Sequence, residues 1–361
     1  MEEIRVSVII PTYAPGQKNQ HLLQKTLVSA LNQRLLPWEI LVIDDATPRV
    51  GGKSPVQHIV DHLREKIAET PGAPRGLIHL LVCSHHHGQP ALPRNLGLKH
   101  ASGNWIAFLD HDDIWHADKL AQQCQWIKAH PQTVMVHTNA RFLKENNQTH
   151  VQDELIKTYP VLQGQAAIPE VLRAFTIFSS ILIQKTFLDQ HGLLDPETSP
   201  CDDTDLLLKL GESRAQVGFI DQPLIDFRLH ANSLSTNRLM INQKKIVVIQ
   251  KALKRPQTQV DRQVLTKLRL DLQRIVAYQA FNAGDFRFSL SSFNQLHHQE
   301  RLDAKSKLYR LALKWKHPNW ILSGRKILAR LRKMGVGLGL KRKIKTHLET
   351  IRRLRRPSSS R

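Results

Sequence analysis

The amino-acid sequence alternates short apolar runs with longer segments predicted to be helical, and this alternation restricts the fold. The apolar runs suit buried strands, and they cover residues 6–10, 39–43, 77–82 and 105–109. The predicted helices between them cover residues 21–33, 56–68 and 91–101. Strands that alternate with helices predict an α/β fold, in which helices flank a mixed, mostly parallel sheet.

Beyond residue 130 the pattern becomes less regular and then turns entirely helical. Residues 133–138 and 179–184 look like strands, and residues 203–210 look like a helix that opens with acids. Residues 218–220 and 224–228 resemble two further short strands. From about residue 237, glycine and proline become sparse while apolar residues recur at helical spacing among Lys, Arg and Gln. We therefore expect an α/β domain over residues 1–240 and a helical, strongly basic region over residues 241–361.

The positive charge of the chain is concentrated at its C-terminal end. The formal net charge is +21, and residues 301–361 contain 20 Lys and Arg against only Asp303 and Glu349. That segment carries +18, which leaves +3 for the first 300 residues. Such a distribution predicts a polyanion as the partner of the basic tail, with nucleic acid, anionic lipid and acidic glycan as the candidates.

Targeting features favour a cytoplasmic protein. Cys83, Cys124 and Cys201 are widely separated and form no CxxC pair, so we expect free thiols in a reducing compartment. The acidic N-terminus lacks the basic start and apolar core of a secretory signal. The apolar runs are far shorter than the roughly 20 residues that span a bilayer, so any membrane contact is predicted to be peripheral.

The strongest chemical signal is the run Asp110-His111-Asp112-Asp113, directly after a predicted buried strand. Adjacent carboxylates repel one another unless a cation or protons neutralise them, and oxygen ligands favour Mg²⁺ or Mn²⁺. The run thus predicts a metal site. The alternative is that Asp112 or Asp113 caps the N-terminus of a helix that continues through residues 115–127.

Two further acidic clusters allow a structural or a chemical interpretation. Asp44-Asp45 ends another predicted strand, where acids can bind a ribose or base, although a turn would also use them. Asp202-Asp203-Thr204-Asp205 opens a helix, where acids favour the positive end of the dipole. A carboxylate near other acids has a raised pKa and suits a general base.

Several common motifs are missing from the sequence. It has no GxGxxG after the first strand, no GxxxxGK[ST] and no GxSxG, which argues against a dinucleotide fingerprint, a P-loop and a nucleophile elbow. His85-His86-His87 cannot all face one metal ion, because the three residues are adjacent. We expect a solvated or substrate-lining loop there.

Five motifs occur in a fixed order along the chain. They are the first strand and loop 6–13, the strand with its acids 39–45, the stretch 94–113 that ends in the acidic run, the acids 202–206 and the segment 227–233. Together they resemble the family 2 glycosyltransferases, inverting enzymes with the Rossmann-like GT-A fold and a DXD motif. The resemblance spans residues 4–236, and the loop 85–87 holds three histidines where the family more often has Asn and Gly.

The resemblance implies a role for each motif. The nucleotide-sugar-binding residues would be Pro11, Thr12, Tyr13, Asp44, Asp45, Arg94, Asp110, Arg228 and His230. Asp45, with Asp44 as the alternative, would hold the base or ribose, and Arg228 and His230 would meet the diphosphate. Asp110 and Asp112, with Asp113 adjacent, would bind Mg²⁺ or Mn²⁺. Asp203 would be the catalytic base.

The implied function is metal-assisted transfer of a sugar, with inversion, from a UDP-sugar or similar donor to a glycan or lipid-linked acceptor. Cell-surface polysaccharide or lipopolysaccharide biosynthesis is the expected setting. The alternatives are a nucleic-acid-binding protein that uses the basic tail, and a metal-dependent phosphoryl-transfer enzyme. Nucleic acid is disfavoured because the tail has no aromatic residue after Trp320. Residues 321–361 predict a basic amphipathic helix, which would lie on an anionic membrane or pack against its own catalytic domain.

Overall fold

The computed structural model describes residues 2–69, 76–146, 148–154, 160–174, 176–229, 236–256, 259–299 and 302–314. His230 and the basic segment 321–361 lie outside these residues, so the sequence predictions for them stay predictions. Among the described residues, none of the helices combines the length and the apolar character needed to cross a bilayer.

A sheet of ten strands forms the centre of the described chain, in the order β3-β2-β1-β4-β9-β6-β10-β5, with β7 on β6 and β8 on β10. The strands are β1 Val6–Thr12, β2 Glu39–Asp44, β3 Ile78–Val82, β4 Trp105–Phe108, β5 Ile114–Trp115, β6 Thr133–Asn146, β7 Gln148–Glu154, β8 Gly164–Gln165, β9 Leu182–Gln184 and β10 Gln216–Leu229. The first four strands pair in parallel, as do β6 and β10, while β9 runs antiparallel between β4 and β6. The predicted α/β fold with a mixed, mostly parallel sheet is confirmed.

Helices cover both faces of the sheet. The helices of the described chain are α1 Gln17–Leu31, α2 Pro55–Glu69, α3 Ala91–His100, α4 Lys119–Ala129, α5 Ile168–Arg173, α6 Lys185–His191, α7 Asp202–Glu212, α8 Arg238–Ala252, α9 Gln259–Ala283, α10 Phe286–Gln299 and α11 Ala304–Lys314. Successive side chains of β2 enter two different cores, because a strand points them to alternate faces. Ile40 packs with the core that contains α1 and α2 residues, and Leu41 with the core that contains α3, α5 and α7 residues.

The described chain divides into two compact units, one up to Leu272 and one from Gln273. From Arg238 onward its described elements are all helices, which confirms the predicted helical C-terminal region. In the second unit, Tyr309 packs edge-on against Tyr278 and Phe281. The proposed domain boundary near residue 240 marks the end of the strands, and as a domain boundary it stays a prediction.

Two of the later predicted elements differ from the structure. The apolar runs near residues 218–220 and 224–228 belong to the single strand β10, and its register on β6 shifts on both sides of Pro223. Proline has no N–H group to donate, so an irregular ladder is expected there. Residues 178–180 form a 3₁₀ turn before the short strand β9, where the sequence predicted one continuous strand.

Glycine is required in the turn between α3 and β4. The N–H group of Gly103 donates to the hydroxyl of Ser7 at 2.9 Å, and that hydroxyl donates to Glu39 at 2.6 Å. A Cβ atom on Gly103 would lie 2.5 Å from the carbonyl oxygen of Arg5. The turn therefore fits tightly against β1 and β2 only without a side chain at this position.

Candidate active site

The parallel strands bring the predicted site residues to one edge of the sheet. Thr12 and Asp44 end the neighbouring strands β1 and β2 and face each other in register. Asp110 follows β4, the other neighbour of β1, and the N–H group of Leu109 still bonds the carbonyl of Ile9. Ligands of such sheets bind beyond the carboxyl ends of the strands, so this edge is the candidate site.

Asp44 and Asp45 have different surroundings although they are adjacent. Asp44 is fully buried, and its two carboxylate oxygens accept bonds from the N–H group of Thr47 at 2.9 Å and the hydroxyl of Ser54 at 2.7 Å. Both of its oxygens thus stabilise the turn after β2. The carboxylate of Asp45 instead points toward the loop that follows β3. Asp45 is therefore the acid of this pair that can contact a ligand.

The loop of three histidines surrounds the carboxylate of Asp45. The backbone N–H groups of His87 and Gly88 donate to it at 3.0 and 3.2 Å, and Nδ1 of His87 lies 2.6 Å from Oδ1. Nδ1 of His86 lies 2.8 Å from Oδ2 and bonds the Asp45 carbonyl oxygen at 3.2 Å. The Asp45 oxygens that face Nδ1 of His86 and Nδ1 of His87 can only accept hydrogen bonds, so each of these two nitrogens carries a hydrogen.

Aromatic stacking adds to this contact. The ring of His86 stacks on the ring of Tyr13, with 3.8 Å between the centroids and 22° between the planes. Thr12, one residue earlier, is buried, and its hydroxyl has no hydrogen-bond partner in the described part of the chain. Thr12, Tyr13 and Asp45 therefore form one wall, part of which His86 covers.

Asp45, Cys83 and His87 also offer possible metal ligands, with their ligand atoms within 4.8 Å of one another. Burial, together with the nearby Asp45, raises the pKa of the Cys83 thiol to about 11, which keeps the thiol protonated at neutral pH. The carboxylate already accepts two backbone N–H groups, whose positive ends disfavour a cation beside it. We interpret the cluster as a hydrogen-bonded wall.

The acidic run 110–113 divides into a partly exposed pair and a buried acid. Asp110 and Asp112 are partly exposed, whereas Asp113 is fully buried. The oxygens of Asp113 accept bonds from the Ser179 hydroxyl at 2.5 Å and the Arg228 N–H group at 3.0 Å. Burial, with the charges of Asp112 and Asp110, raises the pKa of Asp113 well above its ordinary value. Asp110 and Asp112 are thus the two acids that fit a hard divalent cation.

The helix-cap alternative for Asp112 and Asp113 is wrong. The short strand β5, Ile114–Trp115, follows them and pairs with β10, and α4 begins only at Lys119. The acidic run therefore lies between two strands and caps no helix, and the Thr26 hydroxyl of α1 donates to the carbonyl oxygens of His111 and Asp113.

Arg94 connects the acidic run to the third cluster of acids. It is buried, with Nη2 2.5 Å from Asp110 and Nη1 2.8 Å from Asp202, and its guanidinium lies over the Phe178 ring at 4.2 Å. Although burial opposes its charge, Asp110 and Asp202 raise the pKa of Arg94, so the group stays cationic. Sequence reasoning placed Arg94 along the nucleotide pocket but did not find the pair with Asp202.

Asp203 lies in the first turn of α7, next to the buried Asp202. Its Oδ1 accepts bonds from the backbone N–H group of Thr204 at 2.5 Å and from the Thr204 hydroxyl at 3.2 Å. Burial and the charge of Asp202 nevertheless raise the pKa of Asp203 to about 6. A carboxyl group with that pKa can accept a proton near neutral pH.

Arg228, near the end of β10, lies at the acidic run. Its backbone N–H group bonds Asp113, and its Nε donates to the carbonyl oxygen of Asp112 at 3.1 Å. The guanidinium thus lies beside the acids that fit a cation. Pro11 lies within the buried strand β1, before Thr12.

Sequence reasoning missed the contacts of His86 and His87 with Asp45. The signal that would have found them is topological: β2 and β3 are parallel neighbours, so the loops after them lie side by side. The loop 85–87 is recognisable from its three histidines, but its position beside the acid that ends β2 does not follow from the local sequence.

Comparison with known proteins gives a consistent result. The profile of the family described as Glycosyl transferase family 2 matches residues 7–192. The chain is 34% identical over 146 residues to the UDP-Glc:alpha-D-GlcNAc-diphosphoundecaprenol beta-1,3-glucosyltransferase WfgD of Escherichia coli. The matched stretch covers 40% of this chain and 47% of WfgD. It is 33% identical over 122 residues to the putative teichuronic acid biosynthesis glycosyltransferase TuaG of Bacillus subtilis, covering 34% and 41%. The chain thus spans about half or less of the length of these relatives.

Solved structures share the fold over a longer stretch. TarS 1-349 of S. aureus in complex with UDP-GlcNAc superposes with a TM-score of 0.59 at 14% identity, covering 88% of this chain and 89% of that one. The mannosyltransferase PcManGT of Pyrobaculum calidifontis, in complex with GDP-Man and Mn2+, gives a TM-score of 0.55 at 17% identity, covering 88% and 83%.

Proposed function

Because the chain belongs to glycosyl transferase family 2, we propose that it transfers a sugar from a nucleoside-diphosphate sugar to a hydroxyl group of a glycan or lipid-linked acceptor. The observation that carries the proposal is the position of Asp203, a carboxyl group with a pKa of about 6 beside the network of Arg94. Through Arg94, that network links Asp202, the neighbour of Asp203 in the chain, to Asp110, one of the two acids that fit a cation.

The donor would lie along the carboxyl edge of β1, β2 and β4. Tyr13 and Asp45 would contact the base, the Thr12 hydroxyl would gain a partner, and the diphosphate would lie near Arg228. Asp110 and Asp112 would hold a Mg²⁺ or Mn²⁺ ion, which supplies positive charge beside the diphosphate. Asp113 would not bind the ion directly but would fix the backbone of Arg228 and the hydroxyl of Ser179.

The reaction is a single displacement at the anomeric carbon. Asp203 takes the proton of the acceptor hydroxyl, and the acceptor oxygen forms a new bond to that carbon. The bond from the carbon to the diphosphate oxygen breaks, and the nucleoside diphosphate leaves with the electron pair. One displacement inverts the configuration of the sugar. Arg94 orients Asp202 and Asp110 and does not itself touch the reacting atoms.

The relatives suggest donors and acceptors for a first screen. WfgD is named for a UDP-glucose donor and a diphosphoundecaprenol-linked acceptor, and TarS is solved with UDP-GlcNAc. We extend these to the present chain as a UDP-sugar and a lipid-linked glycan at the inner face of the plasma membrane. Cell-surface polysaccharide biosynthesis is the corresponding pathway.

The test combines binding with turnover. Thermal shifts of the purified chain with UDP-glucose, UDP-GlcNAc and GDP-mannose, each with Mn²⁺, would identify the donor. Release of UDP or GDP in the presence of an undecaprenyl-diphosphate-linked acceptor would then report transfer, with Asp203→Asn as the inactive reference. Failure of every donor to shift the melting temperature, together with hydrolysis of a phosphoester substrate, would favour a phosphoryl-transfer enzyme.

A further inference from the structure

The geometry points to His86 as an internal substitute for the donor's base: its ring occupies the base subsite in the donor-free protein and must leave when the donor binds. This inference rests on the proposed function and adds to it a residue that sets donor affinity.

His86 makes the two contacts that a planar base would make at this wall. Its ring stacks on Tyr13 at 3.8 Å, and its Nδ1 atom lies 2.8 Å from Oδ2 of Asp45 and bonds the carbonyl oxygen of Asp45 at 3.2 Å. A nucleobase with a ring N–H group presents the same combination of a flat face and a donor. The two cannot occupy the same ring face and the same carboxylate oxygen together, so they compete.

The two neighbouring histidines differ in how firmly they are held. The side chain of His87 is 16% exposed, and the backbone of that residue also donates to Asp45. The side chain of His86 is 42% exposed and reaches the wall through its ring alone. Rotation of the His86 side chain would therefore uncover Tyr13 and the side of Asp45 Oδ2 that faces the His86 ring, while the backbone N–H groups of His87 and Gly88 still donate to that oxygen.

The contacts also restrict the kind of base. Uracil, thymine and guanine carry a ring N–H group that can replace Nδ1–H of His86 at Asp45. Neutral cytosine and adenine present a bare ring nitrogen at the corresponding position, which would face the carboxylate with a lone pair. Uridine, thymidine and guanosine diphosphates therefore fit the uncovered subsite better than cytidine or adenosine diphosphate.

The experiment measures the affinity of the full chain for UDP, GDP, dTDP and CDP by calorimetry, each with Mn²⁺. A nucleotide can bind only the molecules in which His86 has left the base subsite. Its apparent affinity therefore equals its intrinsic affinity multiplied by the fraction of molecules with an uncovered subsite. His86→Ala should therefore lower the dissociation constant for UDP about three- to tenfold, given the usual strength of one stacked, hydrogen-bonded ring. His85→Ala is the matched control, because His85 packs against His87 and bonds Ser84. Its dissociation constant should equal that of the wild type.

Each outcome decides the question. An unchanged dissociation constant for UDP in His86→Ala would overturn the inference, because His86 would then not affect binding of the base. An increased dissociation constant would also overturn it, because His86 would then contact the bound base directly. Tighter binding of CDP than UDP would overturn the assignment of the base. Absence of binding of all four nucleotides by the wild type and His86→Ala alike would refute the proposed function itself. Thermal melts of both variants confirm that they fold.

Discussion

Nη1 of Arg94 donates a hydrogen bond to Oδ2 of Asp202 across 2.8 Å, although 108 positions separate the two residues in the chain. Both side chains are almost completely buried. The same guanidinium binds Asp110, so one cation fixes the start of α7 relative to the acidic run. The relative positions of the proposed base and the proposed metal ligands therefore depend on Arg94.

Replacing Arg94 with Ala should destabilise the fold as well as remove activity. The change leaves the buried Asp202 without its cation, and breaking a buried ion pair in this way costs about 3–5 kcal/mol. Urea unfolding measures the loss. Lys53→Ala is the control, because it removes the exposed pair with Asp61 and should cost less than about 1 kcal/mol. Equal costs for the two variants would contradict the role of Arg94.

The rate of transfer should rise with pH and then level off. Asp203 must be deprotonated to act as a base, and its pKa is about 6, so kcat/KM should fall as the pH drops below that value. Asp203→Asn should lower kcat by about 10²–10⁴-fold while UDP still binds. Asp189→Asn, which alters an exposed pair with Lys185, is the control. A flat profile between pH 5 and 8 would remove Asp203 from the role of base.

The same carboxyl group predicts an opposite effect on stability. Its pKa in the folded chain is about 6, above the ordinary value of 3.8, so the folded state holds the proton more tightly than the unfolded state. The wild type should therefore lose stability as the pH rises from about 4 to 6. Asp203→Asn should be more stable than the wild type by about 1–3 kcal/mol at pH 7.5. The two should be alike at pH 3.5, and a difference that does not vary with pH would contradict this account.

Asp112 and Asp113 should respond differently to removal. Asp112→Ala removes a proposed ligand, so Mn²⁺ binding should weaken at least about tenfold. Asp113→Ala removes the buried acceptor of the Ser179 hydroxyl and the Arg228 N–H group and should cost about 2 kcal/mol. Calorimetric titration with Mn²⁺ and urea unfolding measure the two effects. In the wild type, EDTA should stop transfer and added Mn²⁺ should restore it.

Gly103→Ala should destabilise the chain by about 1–3 kcal/mol, because the new Cβ atom would overlap backbone that cannot easily move. It would lie 2.5 Å from the Arg5 carbonyl oxygen and 2.6 Å from the Ser7 hydroxyl. Gly16→Ala is the matched control, since a Cβ atom there meets nothing within 4 Å. A melting temperature for Gly103→Ala equal to that of Gly16→Ala would contradict the close approach.

The sequence predicted the first half of the fold well, because each buried strand there is a continuous apolar run with a clear end. The strands near Val6, Glu39 and Trp105 all occur as predicted. Prediction was poorer for β10, since Pro223 divides its apolar pattern while the pairing with β6 continues across it. No local pattern could show that two runs lie on one strand.

The site was predictable where a residue's position follows from the end of a strand, as for Asp45 and Asp110. It was not predictable where the role depends on a partner far along the chain. Asp113 belongs to the same run as Asp112, yet Ser179 and Arg228 occupy its oxygens. Likewise, the stacking of His86 on Tyr13 depends on the rotamers of two loops, which spacing does not specify.

The bond from the Arg228 N–H group to Asp113 spans 115 positions, and it has a consequence for the order in which the protein becomes active during synthesis. When the ribosome has released residues 1–200, the strands β1 to β4 can already pair, but Arg94 still lacks Asp202. The proposed base joins next, and the acidic run gains its last backbone donor only when β10 emerges. A nascent chain can thus form most of the wall for the base well before it can catalyse transfer.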